Sequence, residues 1–179
     1  MPEIVWTPDD ATLQRANVVR FMRRHGFDDY RALVQRSIND PEWFWPAAVE
    51  DMGIEFVEPW REVLDLSRGP EWATWFVGGT LNIASSCVHR WAGQRPDEVA
   101  AVYRGEDGSR RELTFAEQSR EVTRLAEALV GLGVEPGDRV AIYLPMSPEA
   151  AIASHACAHI GAVQVPVFSG FAEIGRAHV

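Results

Sequence analysis

The sequence has no lysine: all 17 of its Lys and Arg positions are arginine. There is thus no lysine to place on a polyphosphate, and no Ser/Thr/Gly-rich phosphate loop accompanies one. The two cysteines, Cys87 and Cys157, form neither a CxxC pair nor a disulfide framework, which fits a reducing compartment. No apolar run is long enough to span a membrane, and the start at Met1-Pro2-Glu3 lacks the basic and apolar regions of a signal peptide. Net basic charge is absent too. At -9 the chain has no overall attraction for nucleic acid or anionic lipid, so neither is an expected partner. A cytoplasmic protein is the default expectation. No internal repeat or low-complexity tract occurs, and no glycine fingerprint follows a strand, which removes a dinucleotide-dependent oxidoreductase from consideration.

What is present is an ordinary globular mixture, 46% hydrophobic and 24% charged, over 179 residues. That length suits one substantial domain or a domain with an extension. Thr7-Pro8-Asp9-Asp10 predicts a helix start with Thr7 as cap, followed by Leu13, Ala16, Val19 and Met22 at helical spacing as far as Gly26. A second helix is expected over 28–38, with Tyr30, Leu33, Val34 and Ile38 on one face. Asp40-Pro41 opens a third, ending near Gly53. The stretch 54–79 has no period but carries Trp60, Trp72, Trp75 and Phe76, and reads as an irregular arm lying on a larger body. The basic cluster Arg20, Arg23, Arg24 and His25 reads as a solvated helix face.

The pattern changes at about Leu81. A short helix is expected over 81–91, then a hairpin from Val99–Tyr103 through Gly105-Glu106-Asp107-Gly108 to Arg111–Leu113. Thr114-Phe115-Ala116-Glu117 is a capping box for a helix ending at Gly131 or Gly133. Strand 139–144, a helix from Ser147 to about Ile160 and strand 163–168 make a βαβ unit with parallel strands. His155 and His159 share a helix face, but a metal site would need a further ligand that the sequence does not offer. The expected fold class is α/β, a partial parallel sheet with covering helices behind a helical and irregular N-terminal extension. Residues 1–80 would be the extension, 81–172 the start of the main domain. A sheet cut here should expose an apolar face and unpaired edges.

Three ordered segments carry a family resemblance. The first is Ser37-Ile38-Asn39-Asp40-Pro41-Glu42-Trp43-Phe44-Trp45. The second is Gly78-Gly79-Thr80-Leu81-Asn82-Ile83-Ala84 with Cys87 and Arg90. The third runs from Gly137-Asp138-Arg139-Val140-Ala141-Ile142-Tyr143-Leu144-Pro145-Met146 through Ile160-Gly161-Ala162 to Phe168-Ser169-Gly170-Phe171. In this order they resemble the N-terminal part of AMP-forming acyl-CoA ligases of the acetyl-CoA synthetase type. The resemblance implies a two-step ligase using ATP, CoA and Mg2+. A short carboxylic acid attacks the α-phosphate of ATP to give an acyl-adenylate and pyrophosphate, and the CoA thiol then displaces AMP. It also implies that Phe168, Ser169 and Gly170 line the CoA nucleotide site, Phe168 stacking on adenine. The alternative for Phe168 is a core residue ending a buried strand.

The family usually has an Asn-Cys-x-Asp-Arg-His run where this chain has Ser86-Cys87-Val88-His89-Arg90-Trp91, and often Gly where Ser169 stands. Those departures leave acetoacetate, propionate or a longer acid open beside acetate. By the same resemblance, the phosphate loop ending in Pro-Lys, the acyl pocket and the lysine-bearing mobile domain would lie downstream. No catalytic residue is therefore expected in this segment, which should be inactive alone and bind none of the cofactors tightly. A rival reading is a short non-catalytic binding or dimerisation module.

Residues 173–179, Glu-Ile-Gly-Arg-Ala-His-Val, depart from the family pattern and match a translation of a common sequencing adapter whose next codon is a stop. They are expected to be non-native. Independently amplified DNA should show a different codon after Ala172 and a longer frame; the same seven codons and stop would sink that expectation.

Overall fold

A computed structural model describes residues 5–167, and the chain divides into two compact units between Thr80 and Leu81. In the first unit, α1 (Asp10–Arg15) and α2 (Asn17–Arg24) are two helices where the sequence predicts one. The cap is Asp9, not Thr7: its carboxylate accepts from Thr12 N at 2.8 Å, and its negative charge suits a helix N-terminus better than a hydroxyl. Ala16 turns extended (φ -69°, ψ 129°) and splits the run. α1 buries no residue, and among the described residues its side-chain tie to α2, which buries Phe21 and Met22, is the Arg23 guanidinium donating to Gln14 Oε1 at 2.6 Å.

α3 (Tyr30–Asn39) is capped by Asp29 and α4 (Pro41–Met52) by Asp40, which accepts from Trp43 N at 3.1 Å with Pro41 in the first turn. Of the face expected on α3 only Leu33 is buried; Tyr30 and Ile38 are exposed. α4 ends at Gly53, whose left-handed backbone (φ 62°) few other residues adopt without cost. Phe21, Met22, Leu33 and Ala47 form the core, with Phe27, Trp43 and Phe44 packed against it. The basic cluster is not simply solvated: Arg24 pairs with Asp51 of α4 at 2.8 Å, and the His25 ring meets Trp43 edge-on at 5.4 Å.

The stretch read as irregular contains an antiparallel pair, β1 (Glu62–Asp65) with β2 (Thr74–Val77), in the register Leu64 opposite Trp75. The strands are four residues each, too short to show alternation, and aromatic contacts hold them. Trp75 meets Trp45 at 5.4 Å, while Phe56, Trp60 and Phe76 pack mutually at 4.8–5.5 Å. Gly79 allows this approach, since a Cβ there would lie 2.8 Å from the Phe56 ring.

In the second unit the expected short helix is interrupted. Residues Ser85–His89 form a π turn that runs into α5 (Arg90–Gln94). Asn82 starts the turn, its Oδ1 accepting from Ala84 N at 2.9 Å. The hairpin is present: β3 (Val99–Arg104) pairs with β4 (Arg110–Thr114), with a register shift between Val99 and Ala101. Thr114 closes β4 and caps α6 (Phe115–Gly131) through a complete capping box, Thr114 Oγ1 to Glu117 N and Glu117 Oε2 to Thr114 N. β5 (Arg139–Ile142), α7 (Pro148–His159) and β6 (Val163–Pro166) form the βαβ unit, with β5 and β6 parallel and Ile142 opposite Pro166. Val88, Leu113, Val122 and Ile152 form the core. The α/β class holds, as parallel strands with covering helices. All four residues of β6 are exposed, Val163 at 49% and Val165 at 41%. No helix among the described residues is long and apolar enough to cross a membrane.

Val122 is fully buried, so Val122→Ala should cost about 1.5–3 kcal/mol through lost transfer energy and a residual cavity. Urea unfolding followed by tryptophan fluorescence checks this, and a cost below about 0.5 kcal/mol would contradict the packing. Gly79→Ala should destabilise the first unit by about 1–3 kcal/mol, because both the Phe56 ring and the Phe76 carbonyl crowd the added methyl.

Candidate functional site

In an open α/β sheet, ligands sit beyond the carboxyl ends of the strands. Here that edge is formed by the ends of β5 and β6. Val167 N donates to Ile142 O at 2.9 Å, which continues the parallel ladder one residue past β6 and fixes the direction in which the chain leaves the sheet. Residues 143–147 leave β5 beside it and lead into α7. Tyr143, Leu144 and Met146 on that loop are exposed. An open cleft of about 640 Å³ lies between the loop and the β3–β4 turn, lined by Tyr103, Arg104, Asp107, Ser109, Pro145 and Met146. Glu149 in the first turn of α7 is tied to Arg111 of β4. That guanidinium is the main cause holding its carboxyl below the usual range.

The sequence-predicted CoA residues Phe168, Ser169 and Gly170 lie outside the described residues, as do residues 173–179. What the structure supplies is the strand that delivers the chain to them.

The two histidines on α7 do not converge on a metal. His155 Nδ1 bonds to Ala151 O of its own helix at 2.8 Å. His159 Nδ1 lies 2.9 Å from His89 Nε2, and His89 Nδ1 lies 2.8 Å from Ser119 Oγ of α6. Among the described residues no group of three or more His, Cys, Asp or Glu could hold a metal ion. The His89–His159 contact joins residues 70 apart, so no spacing rule reveals it. The only sequence signal is that His89 departs from the family run. Burial pushes the His89 imidazole below its ordinary value, and nearness to His159 and His155 adds to the effect. Cys87 is exposed; Cys157 is buried, and burial pushes its thiol up, away from the reactive thiolate.

Comparison with known proteins gives two adjoining matches. Residues 30–87 match the acetyl-coenzyme A synthetase N-terminus, and residues 88–179 match the family described as AMP-binding enzyme. The chain is 42% identical over 147 residues to acetyl-coenzyme A synthetase 2 of Pseudomonas putida, covering 80% of this chain and 22% of that protein. It is 46% identical over 142 residues to acetyl-coenzyme A synthetase of Gemmatimonas aurantiaca, covering 79% of this chain and 21% of that one. The solved acetoacetyl-CoA synthetase from Streptomyces lividans superposes with a TM-score of 0.85 at 36% identity, covering 94% of this chain and 27% of that chain. The chain thus spans about a fifth of the length of the curated relatives it matches. With the two matches meeting between residues 87 and 88, the chain belongs to the AMP-binding enzymes, in the group that carries an acetyl-coenzyme A synthetase N-terminus.

Proposed function

We propose that this chain is the N-terminal part of an AMP-forming acyl-CoA ligase. The whole enzyme would join a short carboxylic acid to CoA at the expense of ATP, releasing AMP and pyrophosphate. The observation that carries this reading is the pair of adjoining family matches, which together run from residue 30 to residue 179. In this reading residues 1–80 are the extension and 81–172 begin the ligase domain. Activation of the acid as an adenylate replaces a poor leaving group, oxide, with a better one, AMP, before the thiol attacks. The chemistry belongs to parts of the ligase beyond this chain, which lacks lysine altogether. Magnesium, which one or two carboxylates and the phosphates of ATP usually hold, would serve the complete ligase, and among the described residues no group of three or more His, Cys, Asp or Glu could hold a metal ion.

The contribution of this chain is to the CoA site. The parallel β5–β6 pair, with Val167 still bonded to Ile142, supports a placement of Phe168, Ser169 and Gly170 at the carboxyl edge of the sheet. Phe168 would stack on adenine, and Ser169-Gly170 would let backbone approach the ligand. Acetoacetate is a second substrate reading, favoured by the likeness to an acetoacetyl-CoA synthetase and by His89 standing in a run where the family usually has Asp.

A chimera tests the reading. Residues 1–172 would replace the matching segment of the Gemmatimonas aurantiaca relative, and AMP release would be followed with acetate, propionate and acetoacetate. Acid- and CoA-dependent AMP release is expected from the chimera, and none from the 179-residue chain. A folded chimera that forms no adenylate with any of the three acids would overturn the assignment. In the same chimera Phe168→Ala should raise the KM for CoA about tenfold through lost stacking. Pyrophosphate exchange, which needs no CoA, is the control; an unchanged KM would remove Phe168 from the CoA site.

A further inference from the structure

The contact between His89 and His159 ties together three elements that are distant in sequence. His89 ends the π turn, Ser119 lies on α6 and His159 ends α7. The two rings stand nearly perpendicular, 4.9 Å apart. The end of α7 is also held by Asn82, whose Nδ2 donates to His159 O at 2.9 Å. Asn82 thus braces both the start of the π turn and the end of the helix.

Counting protons shows what this arrangement permits. Two neutral imidazoles carry two N–H groups on four ring nitrogens, and one of them must lie between His89 Nε2 and His159 Nδ1. If His89 is the donor, its bare Nδ1 accepts from the Ser119 hydroxyl. If His159 is the donor, His89 Nδ1–H donates to the same oxygen. The hydroxyl serves either way by rotating. One added proton goes to an outer nitrogen, and the central N–H···N bond survives. A second added proton leaves an N–H on all four nitrogens. Two donors then face each other at 2.9 Å on two cations, and no tautomer restores the bond.

The groups acting on His89 oppose that second charge. The titratable groups acting on His89 are His159 and His155, both on α7 and both cationic when protonated. α6 presents the neutral Ser119 hydroxyl. On the π-turn side the next residue is Arg90, whose guanidinium stacks over Trp91 at 4.7 Å. Among the described residues no carboxylate is among the charged groups acting on His89.

We propose that His89 and His159 form an acid-labile clasp, which holds the π turn and α6 to the end of α7 while the pair carries at most one positive charge and opens when it takes up a second proton. The burial that lowers the affinity of His89 for a proton gives the direction of the pH dependence. The unfolded chain, with histidine near 6.5, binds a proton that the folded His89 resists. Stability is therefore fully present above about pH 6.5 and falls as pH drops toward the folded value. Opening acts on the last turn of α7, four residues before β6 begins at Val163.

The test uses the 179-residue chain with 15N-labelled histidine. At pH 7.5 one ring N–H should show coupling across the hydrogen bond to a ring nitrogen of the other histidine, and this signal should vanish by about pH 5. In urea the unfolding equilibrium constant should rise by up to tenfold per pH unit per linked proton as pH falls below about 6.5. His159→Gln should flatten that slope. His89→Asp should reverse it, because a carboxylate gains from an imidazolium partner that acidification supplies. A wild-type slope in both variants would overturn the clasp, as would a coupling that persists to pH 4.5 or a wild-type chain with no folded signal at pH 7.5.

Discussion

The second unit depends on one apolar contact, Val122 of α6 against Val88, Leu113 and Ile152. Val122 and Val88 have no exposed surface. Each such side chain contributes about 1.5–3 kcal/mol on burial, and the cluster joins the π turn, β4, α6 and α7. The direction of α6 is set upstream, because Thr114 is both the last residue of β4 and the cap of the helix. The hairpin therefore aims the helix, the helix seats α7 through Ile152, and α7 carries β6 back alongside β5. A Val122 misplaced by a fraction of its diameter would pass that error along to Val167, where the chain leaves the sheet.

The parallel pair itself contributes little to this chain of constraints. Parallel strands usually lie in sheets covered on both faces, where apolar side chains are buried above and below. Here β6 is exposed along its whole length, and its register is held by backbone bonds to β5 and by α7 on one side. Val163 N also bonds back to Asp138 O at 2.7 Å, and Gly137 N to Gly161 O at 2.9 Å, so the amino end of the pair is clamped by turns. At the carboxyl end Val167 N bonds to Ile142 O at 2.9 Å. Val163 and Val165 of β6 stay exposed at 49% and 41% among the described residues.

Much of this was legible because capping chemistry is local. Asp40-Pro41, Gly53 and the Thr114/Glu117 box each satisfy helix-end groups within four residues, so their meaning is complete in the sequence. The βαβ unit was legible for a similar reason, since its strands and helix follow one another with turn residues between. The β1–β2 pair was not, because four-residue strands have no readable period and Trp45 lies 30 residues from the Trp75 it supports. The Asp9 cap was missed because Thr7 offers the same pattern two residues earlier, and only the extended backbone at Ala16 shows that α1 is a separate, unpacked helix. The π turn uses residues that suit an α-helix, so its extra width has no sequence signature. Of the proposed CoA site, Phe168, Ser169 and Gly170 are named by resemblance, and they lie outside the described residues.

The His89 position shows how a departure from a family pattern becomes physically specific only in three dimensions. An aspartate facing His159 would form an ion pair whose strength grows as the histidine gains a proton. A histidine there gives a neutral pair whose strength is lost on the same titration. Either side chain can accept from a serine hydroxyl such as that of Ser119, which lies 2.8 Å from His89 Nδ1. They differ in the sign of the proton linkage. A carboxylate at this position would tighten the joint between the π turn and α7 as His159 gains a proton, whereas the imidazole makes the proposed clasp looser.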